Sequence, residues 1–275
     1  MINTTIQTFY LLENLWFKVE NAMSIASILI PMYNREKFIF ETIRSAQMQT
    51  ISDIEIIVVD NCSSDNSYNI VKEMSEKDNR IKLFKNEINL GAVINWIKCV
   101  EYANSPYSKI LFSDDLIREN FLEKTLPSII NSKCAFAYTP GIVGSSPWSG
   151  GIHYRVLEGD SKINKDYFVR IGTYTDNIIC PSPACALFRT SDLMKNIHSS
   201  LPGVQNYDFN KYGAGVDWLI SMLTALKYDY VAYIDEPLVF FRAHDESISI
   251  INENNMVAIG TKLAKDWLKL AVKGL

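Results

Sequence analysis

Carboxylates stand at the ends of apolar runs at two places in this 275-residue chain. Asp60 closes the run Ile56–Val59, and the adjacent pair Asp114 and Asp115 follows Ile110–Ser113. Carboxylate oxygens are the ligands that Mg²⁺ and Mn²⁺ prefer, and such an ion can bridge the phosphates of a nucleotide. The pair therefore predicts a site for Mn²⁺ or Mg²⁺ beside a nucleotide. The alternative is a solvated turn or a helix cap.

Buried strands must deliver these side chains to one edge of a sheet. Each run is largely β-branched and ends abruptly in polar residues, which is typical of a parallel strand covered on both faces. Strands and helices alternate from residue 26 onward, which predicts an α/β fold, an open Rossmann-like sheet with helices on both faces. Ligands bind at the carboxyl ends of the strands in such sheets. The predicted strands cover 26–31, 53–60, 81–84 and 109–112, and the intervening helices cover 36–49, 65–77 and 91–103.

The later part of the chain is less regularly patterned. Residues 140–151 are rich in glycine, serine and proline, which predicts a loop in the position of a substrate lid. Beyond it, apolar spacing predicts further elements. These are a strand near 184–188, a helix over 216–226, a strand over 230–241 and a final helix over 256–272.

Composition limits the classes of partner and the compartment. Charged residues make up 21% of the chain and the net charge is −4, so no broad basic surface predicts a nucleic-acid partner. Five cysteines form an odd set without a close CxxC pair, which favours a reducing compartment. The apolar runs are shorter than the roughly 20 residues that span a bilayer. The N-terminal stretch lacks the pattern of a signal peptide, and we therefore expect a cytoplasmic protein.

Amphipathic helices are predicted at both termini. Residues 4–21 place apolar side chains at helical spacing. Residues 260–275 do the same and carry four lysines on the opposite face: Lys262, Lys265, Lys269 and Lys273. The C-terminal helix either closes the core with its lysines in water, which we favour, or makes peripheral contact with the inner face of the plasma membrane. Both helices also offer a surface for a homo-oligomer.

Four segments share their order with the motifs of a known family. They are Ser27–Asn34, Val58–Asp65, Asn89–Gly91 with Asn95, and Ser113–Asp115. Together they resemble the inverting glycosyltransferases of family 2, which have the GT-A fold. The resemblance implies a domain over 25–250, with a nucleotide-sugar-binding half over 25–120 and an acceptor-binding half over 121–250. An N-terminal extension, 1–24, and a C-terminal helix, 251–275, flank it.

The resemblance implies a nucleotide site at the carboxyl ends of the first strands. In that family the first acid of the second segment reads the base, which implies this role for Asp60. A carboxylate accepts a hydrogen bond from the N–H of uracil, so uridine is the expected base. The alternative for Asp60 is the cap of a local turn. Nucleotide contacts are further implied for Pro31, Tyr33, Asn34, Arg35, Arg80, Asn89, Gly91, Asn95 and Asp114.

Metal binding is implied for Asp114 and Asp115. Phe112 stands where many members carry a first carboxylate, so which of the two acids binds the ion directly stays open. The motif around His244 resembles a segment that follows the last strand in many relatives. It implies that His244 contacts the metal or diphosphate and that Arg242 contacts the diphosphate. The alternatives are a structural histidine and an internal salt bridge.

The transfer reaction needs a general base that takes the proton of the acceptor hydroxyl. Asp217 follows a glycine-containing loop at the start of an apolar helix. It resembles the second acid of the family's Glu-Asp base motif, although Val216 replaces the first. The alternative for Asp217 is a carboxylate favoured by the helix dipole. Trp218 offers an aromatic face to a sugar ring, with core packing as its alternative.

The residues and the resemblance together predict a metal-dependent, inverting glycosyltransferase. It is expected to move a sugar from a nucleotide donor, with a UDP-sugar as the first choice, to a hydroxyl of a bacterial-type surface polysaccharide or a lipid-linked glycan. A nicotinamide dinucleotide enzyme is disfavoured because no GxGxxG follows the first strand. Two alternatives stay open. One is a nucleotidyltransferase of related fold, which should carry a glycine-rich loop there, and the other is a non-catalytic carbohydrate-binding protein.

Overall fold

A computed structural model describes residues 24–175, 182–247 and 255–272. The predictions of an N-terminal helix over 4–21 and of Lys273 on the C-terminal helix lie outside these residues. Within them, strands and helices alternate and build an open central sheet, so the predicted α/β class is confirmed.

The first half of the fold is a parallel sheet covered by helices. In chain order it comprises β1 Ala26–Met32, α1 Ile39–Gln47, β2 Ile54–Asp60, α2 Ser67–Ser75, β3 Ile81–Lys85, α3 Ala92–Glu101 and β4 Tyr107–Ile110. These bounds agree with the predicted ranges apart from shifts of up to about three residues at the ends of helices and strands. β1 pairs in parallel with both β2 and β4, and β2 pairs in parallel with β3. The carboxyl ends of the four strands therefore lie along one edge.

Both faces of β1 and β2 are buried, which explains their unbroken apolar runs. Leu29 and Ile57 pack in one cluster with Trp96 of α3. Ile30 packs in a second cluster, on the other face, with Ile43 of α1. Burying one such aliphatic side chain stabilises the fold by about 1.5–3 kcal/mol. Because β1 and β2 carry apolar side chains on both faces, the sheet is stable only with helices packed on both sides.

The second half of the chain extends this sheet and adds a smaller one. In chain order it comprises β5 Leu116–Ile117, α4 Phe121–Ile129, β6 Cys134–Tyr138, β7 Gly141–Ser146, β8 Ser149–His153, β9 Ser161–Asn164, α5 Lys165–Tyr174, β10 Ala186–Arg189, α6 Thr190–Asn196, α7 Phe209–Tyr212, α8 Val216–Ala225, β11 Tyr230–Tyr233, β12 Val239–Arg242 and α9 Met256–Ala271. The strand order of the large sheet is β3-β2-β1-β4-β10-β6-β11-β9, and that of the small sheet is β5-β12-β7-β8.

Two predictions for this half are wrong. The predicted loop over 140–151 is a hairpin of β7 and β8 in the small sheet. Its glycines let the strands approach closely, since a Cβ on Gly144 would lie 1.8 Å from the carbonyl oxygen of Ser149. The predicted strand over 230–241 is two strands, β11 and β12, which belong to different sheets. Pro237 lies between them and has no N–H to donate to a strand ladder, which favours the break.

The C-terminal helix α9 packs on the protein itself. Its buried residues follow helical spacing: Gly260, Ala264 and Leu268. Gly215, which precedes α8, lies so close to α9 that a Cβ on it would be 2.4 Å from the carbonyl oxygen of Gly260. On another face, Lys262 pairs with Asp266 at 2.6 Å. No helix in the described part of the chain is long and apolar enough to cross a membrane.

Candidate active site

A cavity of about 1000 Å³ opens at the carboxyl ends of β1, β2 and β4. Its walls also include the starts of α3 and α8, the end of β12 and one face of α9. Most of the residues predicted to bind substrate line it: Pro31, Tyr33, Arg35, Asn89, Gly91, Asn95, Asp114, Asp115, Asp217, Trp218 and Arg242. The fold thus brings together side chains that are up to about 200 residues apart in sequence.

The carboxylate pair occupies the turn between β4 and β5. Asp115 is 5% exposed, and its Oδ1 accepts a hydrogen bond from the backbone N–H of Arg242 at 3.0 Å. Burial, and then the negative charge of Asp114, raise the pKa of Asp115 well above its ordinary range. Oδ2 of Asp114 accepts a hydrogen bond from Nε of Arg35 at 3.2 Å and lies 3.0 Å from Nε2 of His244.

Arg242, at the end of β12, and His244, just after it, both contact Asp114 of the carboxylate pair. Nε of Arg242 donates to the carbonyl oxygen of Asp114 at 3.0 Å, and Nη2 donates to Oε2 of Glu41 at 2.6 Å. The His244 ring lies on Phe38, with ring centroids 4.4 Å apart. The internal salt bridge considered for Arg242 is therefore present. His244 does not line the cavity directly but contacts Asp114, which does.

Asp114, Asp115 and His244 offer a partial ligand set for a divalent ion. Among the residues that the structure describes, no group of three or more His, Cys, Asp or Glu side chains forms a ready-made metal site. Mg²⁺ usually binds through one or two carboxylates together with substrate phosphates, so a complete protein cage is not required. Two adjacent acids, one buried with a raised pKa, form a site where added positive charge is favourable. The donor set fits the ion.

Asp217 lies at the first turn of α8 and faces the same cavity. Its Oδ1 accepts hydrogen bonds from the backbone N–H groups of Gly215 and Trp218, both at 2.8 Å. Burial raises the pKa of Asp217 to about 7, although the two hydrogen bonds act in the opposite direction. Gly215 has a φ of 87°, which lets the loop aim its N–H at the carboxylate. A carboxyl group with this pKa is suited to accept a proton at neutral pH.

A network of asparagine side chains builds the wall beyond β2. Nδ2 of Asn61 donates to Oδ1 of Asn89 at 2.8 Å and to the carbonyl oxygen of Gly91 at 3.2 Å. Its Oδ1 accepts from the backbone N–H of Leu90 at 2.9 Å. Asn95 lies one turn into α3 and donates to the carbonyl oxygen of Val59 at 3.0 Å. Asn61 thus ties the Asn-x-Gly segment to the end of β2.

Two residues with predicted nucleotide contacts are not part of the cavity wall: Asp60, the last residue of β2, and Asn34, in the turn after β1. The Asp60 carboxylate has no exposed surface and accepts hydrogen bonds from the backbone N–H of Ser63, at 3.2 and 3.3 Å. This hydrogen bond agrees with the local-turn alternative, and the neighbour Asn61 lines the cavity, whereas a contact of Asp60 with the base stays a prediction. Asn34 accepts from the backbone N–H of Ser64 at 2.9 Å and orders the turn that carries Tyr33.

Arg80 does not reach the site. It precedes β3 and therefore lies at the amino end of that strand, whereas the cavity lies at the carboxyl ends. Its guanidinium pairs with Asp78 at 2.8 Å and donates to the carbonyl oxygen of Gln47. The predicted nucleotide contact of Arg80 does not fit this placement. Arg80 has a suitable charge, but it lies at the wrong end of its strand to reach the cavity.

Sequence reasoning missed several residues of the cavity wall, among them Asn61, Tyr154 and Asn210. Asn210, on α7, donates to the carbonyl oxygen of Leu90 at 2.7 Å and accepts from the backbone N–H of Ile94 at 2.9 Å. No local signal marks it, because these contacts span more than 100 residues of sequence. Asn61 lies within the Val58–Asp65 segment and directly follows β2. A polar residue at the end of a buried strand was therefore the signal that could have identified it.

The open sheet, the carboxylate pair and the separate acid at the start of α8 are the architecture expected of the GT-A fold. A family model described as "Glycosyl transferase family 2" matches residues 27–196. The chain belongs to this family. The match ends before α8, so Asp217 and the α9 face of the cavity lie outside it.

Two of the curated relatives each align with less than half of the chain. A putative teichuronic acid biosynthesis glycosyltransferase, TuaG of Bacillus subtilis, is 34% identical over 119 residues, which are 43% of this chain and 47% of the relative. The UDP-Glc:alpha-D-GlcNAc-diphosphoundecaprenol beta-1,3-glucosyltransferase WfgD of Escherichia coli is 36% identical over 114 residues, 42% of this chain and 44% of the relative. The chain therefore spans about half the length of these relatives.

A solved structure shows the same fold. The crystal structure of S. aureus TarS 1-349 in complex with UDP-GlcNAc has a TM-score of 0.64 and 21% sequence identity. It covers 82% of this chain, and this chain covers 60% of it. The predicted GT-A fold is confirmed.

Proposed function

We propose that this protein is a metal-dependent, inverting glycosyltransferase that uses a UDP-sugar. Its acceptor is a hydroxyl group of a bacterial-type surface polysaccharide or of a lipid-linked glycan. The names of TuaG and WfgD support this class of acceptor. The bound UDP-GlcNAc of the TarS structure and the UDP-Glc in the name of WfgD support the donor class.

The observation that carries the proposal is the Asp217 carboxyl group, which faces the cavity that also holds Asp114 and Asp115. Burial raises the pKa of Asp217 to about 7, so the group exists in both protonation states near neutral pH. We assign it as the general base. It takes the proton of the acceptor hydroxyl while that oxygen forms a bond to the anomeric carbon. The bond from the anomeric carbon to the phosphate oxygen breaks, and its electron pair leaves with UDP. One displacement of this kind inverts the anomeric centre.

The donor occupies the other side of the cavity. Pro31 and Tyr33 flank the base, and the wall tied together by Asn61 borders the nucleoside. Arg35 and Arg242 supply positive charge beside the diphosphate. Asp114 and Asp115, with His244, would hold Mn²⁺ or Mg²⁺, which when bound supplies the positive charge that stabilises a diphosphate leaving group. Trp218 is 5% exposed, so its edge contributes to the acceptor side while most of the ring packs in the core.

Hydrolysis of UDP-sugars tests the proposal. The wild type is incubated with a panel of UDP-sugars and Mn²⁺, and released UDP is quantified. Asp217→Asn is expected to lower the rate by about 100- to 10,000-fold, the usual contribution of a general base. Glu73→Gln, an exposed substitution on α2, serves as the matched control. If Asp217→Asn releases UDP as fast as Glu73→Gln, the assignment of Asp217 as the general base is wrong. If no UDP-sugar releases UDP, the non-catalytic alternative is favoured.

A further inference from the structure

Tyr154 is a strained residue in the wall of the cavity. It directly follows β8, whose residues Ser149–His153 are all exposed, yet its own side chain is half-buried and lines the cavity. Its φ of 66° lies in the left-handed region, which a bulky residue other than glycine rarely adopts. Strain of this kind persists only where surrounding contacts hold it, and it concentrates at functional sites. The turn after β8 therefore points an aromatic side chain inward at a cost.

The contacts that hold Tyr154 belong to the strand that also holds the carboxylate pair. The Tyr154 ring packs edge-on against Phe241, with centroids 6.0 Å apart and planes at 88°. Gly141 makes room for Phe241, because a Cβ there would lie 2.6 Å from Cε2 of that ring. The next residue, Arg242, donates its backbone N–H to Asp115. Tyr154 and Asp115 are thus fixed by adjacent residues of β12.

Tyr154 is also close to both acidic centres of the site. Burial, and then the negative charges of neighbours that include Asp217 and Asp115, raise the pKa of Tyr154 to about 12. Its hydroxyl therefore stays protonated at neutral pH. In the described part of the chain, none of the hydrogen bonds we find engages this hydroxyl. It is a neutral donor that faces the cavity, within electrostatic reach of the acid pair and of the base.

We propose that the hydroxyl of Tyr154 donates a hydrogen bond to a hydroxyl group of the transferred sugar and thereby contributes to the choice of donor. The inference rests on the proposed function. If the diphosphate lies at Asp114 and Asp115 and the acceptor oxygen lies at Asp217, the sugar ring lies in the cavity that Tyr154 lines together with these acids. A neutral phenol suits a sugar hydroxyl, because it donates a hydrogen bond without bringing a charge into a site that already holds several acids.

Tyr154→Phe tests this directly, because it removes only the hydroxyl and keeps the ring and the strained backbone. We expect kcat/KM for hydrolysis of the preferred UDP-sugar to fall about 3- to 10-fold, the range for one neutral hydrogen bond. The affinity for UDP alone, measured by calorimetry, is expected to stay within about two-fold, since UDP has no sugar to contact. Tyr167→Phe is the matched control, since Tyr167 lies on α5 and is 56% exposed.

UDP-glucose and its deoxy analogues locate the contact. The wild type and Tyr154→Phe should hydrolyse the analogue that lacks the contacted hydroxyl with equal kcat/KM. For the other analogues, the difference in kcat/KM between the two proteins should persist. The inference is overturned if Tyr154→Phe equals the wild type for every donor, or if it loses affinity for UDP as strongly as for the UDP-sugar. Failure of the wild type to bind UDP at all would instead contradict the proposed function.

Discussion

The raised pKa of Asp217 makes a prediction about stability that needs no knowledge of the substrate. In the folded protein burial raises this pKa from 3.8 to about 7. The fold therefore favours the protonated carboxyl. The contribution of Asp217 to stability is fully present below its unfolded pKa, and it is lost as the pH rises through the folded value. Above about pH 7 the folded state must hold a charge that is better solvated in the unfolded chain.

The size of the effect follows from linkage. A rise from 3.8 to about 7 corresponds to at most about 4 kcal/mol, at about 1.4 kcal/mol for each pKa unit. The carboxyl faces an open cavity, where water screens part of the penalty, so we expect about 2 kcal/mol. Asp217→Asn cannot ionise, and its side-chain oxygen can still accept the hydrogen bonds from Gly215 and Trp218. The variant should therefore be more stable than the wild type above pH 7.

Urea denaturation measures this difference. The free energy of unfolding is determined for the wild type and Asp217→Asn at about pH 4 and about pH 8, where the advantage of the variant should be small and then near its maximum. Asp208→Asn is the control, since Asp208 is an exposed N-cap whose Oδ1 accepts from the backbone N–H of Lys211 at 3.0 Å. An advantage for Asp217→Asn that does not grow with pH would refute the assignment of a buried acid with a raised pKa.

Three further predictions concern the same cavity. UDP-sugar hydrolysis is expected to rise with pH through about 7, because Asp217 must lose its proton to act as a base; a pH–rate profile that falls through this region would contradict the role. Gly260→Ala places a Cβ 2.6 Å from the carbonyl oxygen of Ala214, so α9 must shift. We expect urea denaturation to show a free energy of unfolding lower by about 1–3 kcal/mol. Hydrolysis of the UDP-sugar should also slow, because Ala214 belongs to the loop that positions Asp217. Unchanged stability would contradict the close packing of α9 against this loop. Asn61→Ala removes the hydrogen bonds to the Asn89–Gly91 segment and should weaken UDP binding about 10-fold in calorimetry, whereas the exposed control Asn69→Ala should bind UDP as the wild type does.

Regular patterns predicted the first half of the fold well. β1 and β2 form largely apolar runs because both of their faces are buried, and a run that ends in an acid marks the carboxyl edge. Asp114 and Asp115 were found in this way. The same reasoning placed Asp60 in the site, but successive residues beyond a strand end can turn in different directions. The structure turns Asp60 to the N–H of Ser63 and gives Asn61 to the cavity.

The second half of the fold was less predictable because long-range contacts determine its structure. The hairpin of β7 and β8 is rich in glycine and serine, and only its pairing with β12 shows that these residues form strands. Asn210 and Tyr154 reach the cavity through packing that no local spacing reveals. Arg80 has the right charge for a nucleotide but stands at the amino end of β3. Charge alone was therefore a weak guide, whereas position relative to a strand end was a strong one.

The most direct test of the central claim is a calorimetric titration of UDP into the purified protein, with and without Mn²⁺, beside Asp115→Asn and the control Glu73→Gln. The account predicts UDP binding that strengthens with Mn²⁺, is weakened by Asp115→Asn and is unaffected by Glu73→Gln. Binding that ignores both Mn²⁺ and Asp115→Asn would contradict the metal site. Absence of UDP binding under every metal condition would contradict the assignment of a UDP-sugar donor.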